Sequence, residues 1–496
     1  MKKISSFLWI LGIILLHINC LSSQRILDAG PGKTYANMRA ACLVALPGDT
    51  IVVHAGTYPG GEFIENLKGT AKARITIRGI NASSVIYNGG SEALHFIEAE
   101  YVTLQNITVT RQTGNGINID DGGTYITPTK HLLLENIIFK DMNATGNNDM
   151  LKLSGLDSFE IRRCTFMNGS AGGSGIDMVG CHFGIIHHNT FISQGSNSIQ
   201  AKGGSSQITI IANKFTNGGS RVLNLGGSTG TAFFRPLGAN YEAKDLFVYS
   251  NFFEGSDAPI GYVGSRNVIV SNNTFYNPTK WIFRILQEST DTSFYLSSAN
   301  NTFSNNIIYA GSINPTVNIG PNTSPTSFKI FNNLWYSVLT ASWRGPTLPV
   351  VETGAVYSVD PMIVNLSAGN INLSRNSPAI GKGKGPVSYL DYYDRKFSNS
   401  VSIGASEYYP ATLLDDIIET HEIEVYPNPV KDVIILSDLQ NGTQLELIDL
   451  QGRVLRKEVS LSSNHVMNLN QIEKGIYFIK VLTVQGIITS KRILKI

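Results

Sequence analysis

Six segments of the sequence can be laid over one another so that a polar residue recurs at one place: "DMLKLSG" from 149, "SGIDMVG" from 174, "NSIQAKG" from 197, "RVLNLGG" from 221, "APIGYVG" from 258 and "WIFRILQ" from 281. If each is a short strand, alternation sends Leu151, Ile176, Ile199, Leu223, Ile260 and Phe283 inward, and Lys152, Asp177, Gln200, Asn224, Gly261 and Arg284 outward. Stacked at about 4.8 Å per strand, the outward set makes a polar strip suited to an extended sugar chain. Asp149, Lys202 and Arg221 flank it.

The chemistry open to such residues is that of acidic polysaccharides. Cleaving a uronate by β-elimination needs a cation to neutralise the carboxylate, so that the C5 proton becomes acidic, and a base to remove that proton. Lys202 is the preferred base, with Arg221 and Arg284 as its clamp and Lys152 as the competing base, because neighbouring cations lower a lysine's pKa. Asp149 and Asp177 are candidate ligands for Ca²⁺, although two carboxylates are a short set for an ion that takes six or more oxygens. Hydrolysis needs two carboxylates across the scissile bond, and Asp177 with Asp149 or Glu242 supplies a pair. An epimerase and a non-catalytic binding or adhesin surface are the other readings.

The longest insertion between these segments, "GGSTGTAFFRPLGANYEAKD", carries Phe233, Phe234, Arg235, Tyr241 and Glu242. With Asp177, Gln200 and Asn224, the residues Phe234, Arg235, Tyr241 and Glu242 form the expected substrate-binding set. Aromatic faces can stack on sugars and a guanidinium can grip an acidic group. The bland alternative is a flap whose phenylalanines pack on the core.

A recurring phrase positions these strands. "VTLQNITV" at 102, "LLLENIIF" at 132, "GIIHHNTF" at 184, "ITIIANKF" at 208, "VIVSNNTF" at 268 and "TFSNNIIY" at 302 align Asn106, Asn136, Asn189, Asn213, Asn251, Asn273, Asn306 and Asn333, with Cys164 filling one register. A period mostly between 22 and 30 residues marks a solenoid. Short β-branched strands without a helical period predict an all-β, right-handed parallel β-helix. An inward asparagine at each bend would bond its copies above and below. A large apolar residue follows two positions after most of these: Phe191, Phe215 and Phe275 keep that step, Val109 lies three on, and Phe139 and Phe253 are read as opening by one.

Composition bounds the partners. The chain has 496 residues, a formal net charge of +2 and 48 glycines, which leaves no basic stripe for nucleic acid. Lys2 and Lys3 precede an apolar run from Phe7, the layout of a secretory signal over residues 1–24. Cys42, Cys164 and Cys181 are either buried thiols or include a Cys164–Cys181 bridge. His182, His187 and His188 cluster in "CHFGIIHHN" and are read as structural.

Several stretches resemble known families. "RAACLVALPGDTIVVHAGTYPGG" from 39 resembles the capped opening of β-helix polysaccharide enzymes, and "DPMIVN" at 360, "NSPAIGKG" at 376 and "SIGASE" at 402 resemble their closing coils. "FFEGSDAPIGYVGSRNVIVSNNTFYNPTKWIFRI" from 252 resembles the calcium and catalytic segment of chondroitinase-B and alginate lyases of polysaccharide lyase family 6. This chain departs from that family: Pro259 and Gly261 stand where it has calcium-binding glutamates, and the next turn reads "GSRN" without a lysine. Arg284 alone carries over. The signatures of pectate lyases, polygalacturonases and mannuronan epimerases are missing.

Residues 422–496, with "EIEVYPNPVKDVIIL", "LIDLQGRVL" and "LNQIEKGIYFIKVLT", resemble the C-terminal sorting domain of the type IX secretion system, a small antiparallel β-sandwich. The resemblance implies export from a Bacteroidetes-type cell, release or surface attachment, and the type IX machinery as a partner. The expected organisation is a β-helix over 25–408, a linker over 409–421 and the sorting domain over 422–496. A monomer acting on a uronate-containing polysaccharide is the expected whole.

Overall fold

The computed structural model describes residues 24–385, 387–410 and, with interruptions at 429, 438, 440, 450–452 and 483–487, residues 425–495. The expected signal segment and linker lie outside the described residues, apart from Gln24 and positions 409–410. By contact the chain divides into one compact unit ending at Tyr408 and a second starting at Tyr409.

The first unit is a right-handed parallel β-helix. Among the described residues three sheets of 16, 10 and 12 strands run along it, each paired in parallel. Each coil visits the sheets in turn, as Leu151–Ser154, Leu156–Arg162 and Thr165–Met167 do, and the next coil pairs with it in register. A short helix, Met38–Cys42, stands at the start, its first turn capped by the Asn37 side chain, which accepts from the Ala40 N–H at 2.9 Å. The second unit has antiparallel sheets of three and four strands, with Ile434, Leu445, Leu447 and Ile479 in its core.

Inside the helix two files of side chains set the register. Phe139, Phe166, Phe191, Phe215, Phe253 and Phe275 stack with ring centroids 4.7–5.0 Å apart, one coil spacing. Beside them Asn189, Asn213, Asn251, Asn273, Asn306 and Asn333 form a continuous amide ladder, each Nδ2 donating to the next Oδ1 at 3.0–3.1 Å. Each Oδ1 also accepts the backbone N–H of the coil before, so a buried carboxamide is satisfied by its own copies. Glu352 terminates the ladder, accepting from Asn333 Nδ2 at 2.8 Å and from Trp335 Nε1 at 2.7 Å.

Asn106 and Asn136 do not belong to this file. The pairing of Thr108 with Ile138 and of Ile138 with Thr165 puts Ile107 and Ile137 level with Cys164, and hence with Asn189. Asn106 and Asn136 sit one residue earlier, at φ +61° and +54°, in the left-handed bend that Asn272, Asn305 and Asn332 fill further along. Asparagine tolerates that conformation better than most residues. The three-residue step to Val109 and to Phe139 was the sign of this slip, whereas Phe253 keeps the strict two-residue step from Asn251. All three described cysteines are free and buried, so no Cys164–Cys181 bridge forms.

Candidate functional site

The ten-stranded sheet places Lys152, Asp177, Gln200, Asn224, Gly261 and Arg284 in one outward file, each level with the next. Phe63, His95 and Asn118 extend the file toward the N-terminus, and Asn318 extends it past Arg284. Two positions on, Asp120, Ser154, Val179 and Lys202 form a second file.

Charge is concentrated where the two files meet. The Lys152 ammonium donates to Asp177 Oδ2 and lies 3.7 Å from Asp149 Oδ2, while Lys202 Nζ lies 3.3 Å from Asp177 Oδ1. Both carboxylates are buried, so two ammonium groups rest on an acidic underlayer that solvent does not reach. Burial, followed by the nearby Asp177 charge, pushes the Asp149 carboxyl up to about 7, against the pull of Lys152. Burial disfavours the Lys152 ammonium, but Asp177 and Asp149 outweigh it and leave its pKa raised.

Above this floor is a cleft of about 730 Å³, lined at its base by Asn118, Lys152, Ser154 and Lys202 and at its sides by segments 121–125 and 228–235. The second wall is held from behind. The buried Glu242 accepts from Gly203 N at 3.0 Å, from Thr229 N at 2.9 Å and Oγ1 at 2.8 Å, and from the Ser289 hydroxyl. Arg235 forks onto Asp157 at 2.8 and 2.6 Å and donates to the Gly180 carbonyl at 3.0 Å. Gly180 must be glycine: at φ +61° its Cβ would stand 2.6 Å from Arg235 Cβ. The Tyr125 hydroxyl donates to the Ala232 carbonyl and joins the two walls.

Residues 66–235 match the family model described as a right handed beta helix region, and residues 424–495 match the secretion system C-terminal sorting domain. The chain is a β-helix with a secretion sorting tail. That tail assigns the β-helix to type IX secretion, and so to the cell surface or beyond it. Among solved structures, the pectate lyase Pel9A is similar in fold, with a TM-score of 0.50 at 15% identity over 78% of this chain and 97% of that one. An alginate lyase from Paenibacillus sp. str. FPU-7 aligns at 18% identity and TM-score 0.39 over 67% of this chain and 97% of its own. Beta-agarase A of Zobellia galactanivorans is 30% identical over 119 residues, 23% of this chain, which spans about a fifth (21%) of that relative. No helix among the described residues is long and apolar enough to cross a membrane.

Several expected roles change in the β-helix. Arg221 and Arg284 do not flank Lys202, and neither lines the cleft. Arg221 pairs with Glu288 at 2.7 Å, and Arg284 donates to Asn318 at 2.9 Å with its guanidinium 4.4 Å from the Trp281 ring centroid. A carboxylate, Asp177, is the charged neighbour of Lys202. Phe234 is buried against Tyr295, so of the two loop phenylalanines it is Phe233, 66% exposed, that lines the cleft, together with Tyr125 of the opposite wall. The charge of Arg235 is already paired with Asp157, and Glu242 is fully enclosed. Tyr241 stacks with Lys244 outside the cleft lining. Gln200 is nearly buried and accepts from Lys202 at 3.3 Å, and Asn224 is wholly covered.

Asp149 and Asp177 do not fit a calcium ion, because Lys152 already stands against both. Among the described residues no group of three or more His, Cys, Asp or Glu side chains is arranged to hold a metal. His182 bonds Asp157 and Arg235, and His187 bonds His188 and Glu160. Sequence reading missed the N-terminal end of the site. His95 lies 2.7 Å from Asp120 and 3.4 Å from Glu92, and these hydrogen bonds, Asp120 first, raise its pKa to about 9. Extending the strand alignment back through "LHFI" and "INID" places His95 and Asp120 on neighbouring strands of the same sheet.

Proposed function

We propose that the cleft binds an acidic, uronate-containing polysaccharide and cleaves it by β-elimination. The observation that carries this reading is the pair of ammonium groups, Lys152 and Lys202, that lines the floor above the buried Asp177. Two cations side by side on a low-dielectric underlayer attract a carboxylate more strongly than either would in water. Lys152, held by the Asp177 carboxylate, keeps its proton and neutralises the uronate, which acidifies the C5 hydrogen. Lys202, against a single carboxylate at 3.3 Å, is the group placed to act as the base. It must first give up its own proton, and as the neutral amine it takes the C5 proton while the C4=C5 bond forms and the C4–O bond to the leaving sugar breaks, the leaving oxygen taking a proton in turn. Exposed Phe233 supplies a face for a sugar ring at the cleft wall. The names of the similar folds, pectate lyase and alginate lyase, fit a substrate of this class.

Hydrolysis is the weaker chemistry here, because Asp149 and Asp177 lie beneath Lys152 and Glu242 is enclosed. Binding without cleavage is the second reading, favoured by the carboxylate that sits against each lysine. Incubating the purified protein with alginate, pectate, chondroitin and ulvan separates the two. Growth of the ultraviolet absorbance of an unsaturated uronate, lost in Lys202→Ala, supports the lyase. Binding without that absorbance supports the surface-binding protein, and new reducing ends without it would point to hydrolysis.

A further inference from the structure

Between the cleft and Arg284 the outward file passes beneath a cover. Asn224 is fully buried, and neither its Oδ1 nor its Nδ2 finds a hydrogen-bond partner among the described residues. The next position in the file is Gly261, and the space beside it is taken by Arg221: a Cβ built on Gly261 would lie 3.3 Å from Arg221 Cδ and 3.2 Å from Asn224 Oδ1. The Arg221 guanidinium is in turn tied at 2.7 Å to Glu288, a residue 37% exposed just past the strand that bears Arg284. A buried carboxamide with both functions unused is uncommon in a folded protein and calls for a ligand or a change of conformation.

We propose that the Arg221–Glu288 pair is a latch over a sugar subsite built on Asn224, and that an acidic glycan opens it by exchanging carboxylates. This inference rests on the reading of the neighbouring cleft as a uronate site. A glycan extending from Lys152 toward Arg284 follows the file for five coil steps, roughly 24 Å at the spacing of parallel strands. Its carboxylate replaces Glu288 as the partner of Arg221, and the arginine side chain swings off Gly261. Asn224 is then uncovered, with Nδ2 to give and Oδ1 to take a hydrogen bond, the combination that a sugar hydroxyl satisfies. The missing side chain at Gly261 leaves room for the ring. A neutral glycan has nothing to offer Arg221 and leaves the latch closed, so the latch selects for charge as well as length.

The test is calorimetric titration of the full chain with a galacturonate disaccharide, short enough to stay in the cleft, and with the hexasaccharide. Glu288→Gln removes the competing carboxylate, and it should tighten hexasaccharide binding roughly three- to tenfold while leaving the disaccharide unchanged. Adding Asn224→Ala to that variant should cancel most of the gain. Equal tightening for both lengths, no tightening, or a gain that survives Asn224→Ala would overturn the latch while leaving the cleft intact. If neither these oligosaccharides nor alginate oligosaccharides of the same lengths bind the wild-type chain, the cleft reading fails and the latch falls with it.

Discussion

The Lys152 ammonium rests on the carboxylate of Asp177, the residue level with it on the following coil, and so a charge at the cleft floor is held by a buried counter-charge that cannot reach the ligand. This arrangement fixes where the cation stands at little cost in side-chain freedom when an anion arrives. It also makes the cleft sensitive to the protonation of the second buried acid, Asp149.

That sensitivity has a defined sign. With its folded pKa raised from 3.8 to about 7, Asp149 keeps a proton that the unfolded chain would release. Its contribution to stability is therefore complete below pH 3.8 and is lost as pH rises through about 7. Over the same rise a negative charge appears under Lys152, so polyuronate affinity should fall as pH passes 7. Asp149→Asn should flatten that part of the profile, measured by titration at a series of pH values.

Asp157 has the opposite sign. Burial disfavours its charge, but Arg235 and His182 outweigh burial and hold its pKa at about 2. The stabilisation it provides is present above pH 3.8 and disappears as pH falls toward 2. Arg235→Ala should shift acid unfolding to higher pH and speed proteolytic cleavage within 227–240. Unchanged acid midpoint and unchanged cleavage would show that Arg235 does not hold the cleft wall.

Neighbouring phenylalanines should separate binding from folding. Phe233→Ala removes an exposed ring and should weaken glycan binding by about 0.5–1.5 kcal/mol with little change in thermal midpoint. Phe234→Ala removes a buried ring and should cost about 3 kcal/mol of stability. Denaturant titration and calorimetry on both variants check the division.

The amide ladder should be cooperative along its length. Asn213→Ala removes the acceptor of two Asn189 donors and leaves Asn251 Oδ1 with fewer partners, so it should cost about 1–3 kcal/mol. Asn136→Ala, at an exposed bend, should cost less. Equal losses in chemical denaturation would contradict the ladder assignment.

The coil and the outward file were legible because strand alternation and a repeat near 24 residues each fix side-chain direction locally. The misassigned asparagines show the limit of that logic. An inward rung and a left-handed bend both favour asparagine, and one residue of slip exchanges them, so residue type alone cannot separate Asn106 from Asn189. The loop residues were legible as a group and illegible individually. Whether Phe233 or Phe234 faces outward depends on Tyr295, and whether Arg235 is unpaired or bound depends on Asp157, 78 residues away in sequence, partners that no local pattern reveals. Likewise the charge of Arg221 is visible in the sequence and suggests a clamp, whereas its pairing with Glu288 is visible only in the fold.

The most direct test is calorimetric titration of polygalacturonate and alginate into the wild-type chain, Lys152→Gln, Lys202→Gln and the exposed control Lys329→Gln, each first shown to be folded by circular dichroism. Each cleft variant should lose affinity by about tenfold or more, while the control keeps the wild-type value. Wild-type affinity in both cleft variants, or an equal loss in the control, would contradict the assignment of this cleft to an acidic polysaccharide.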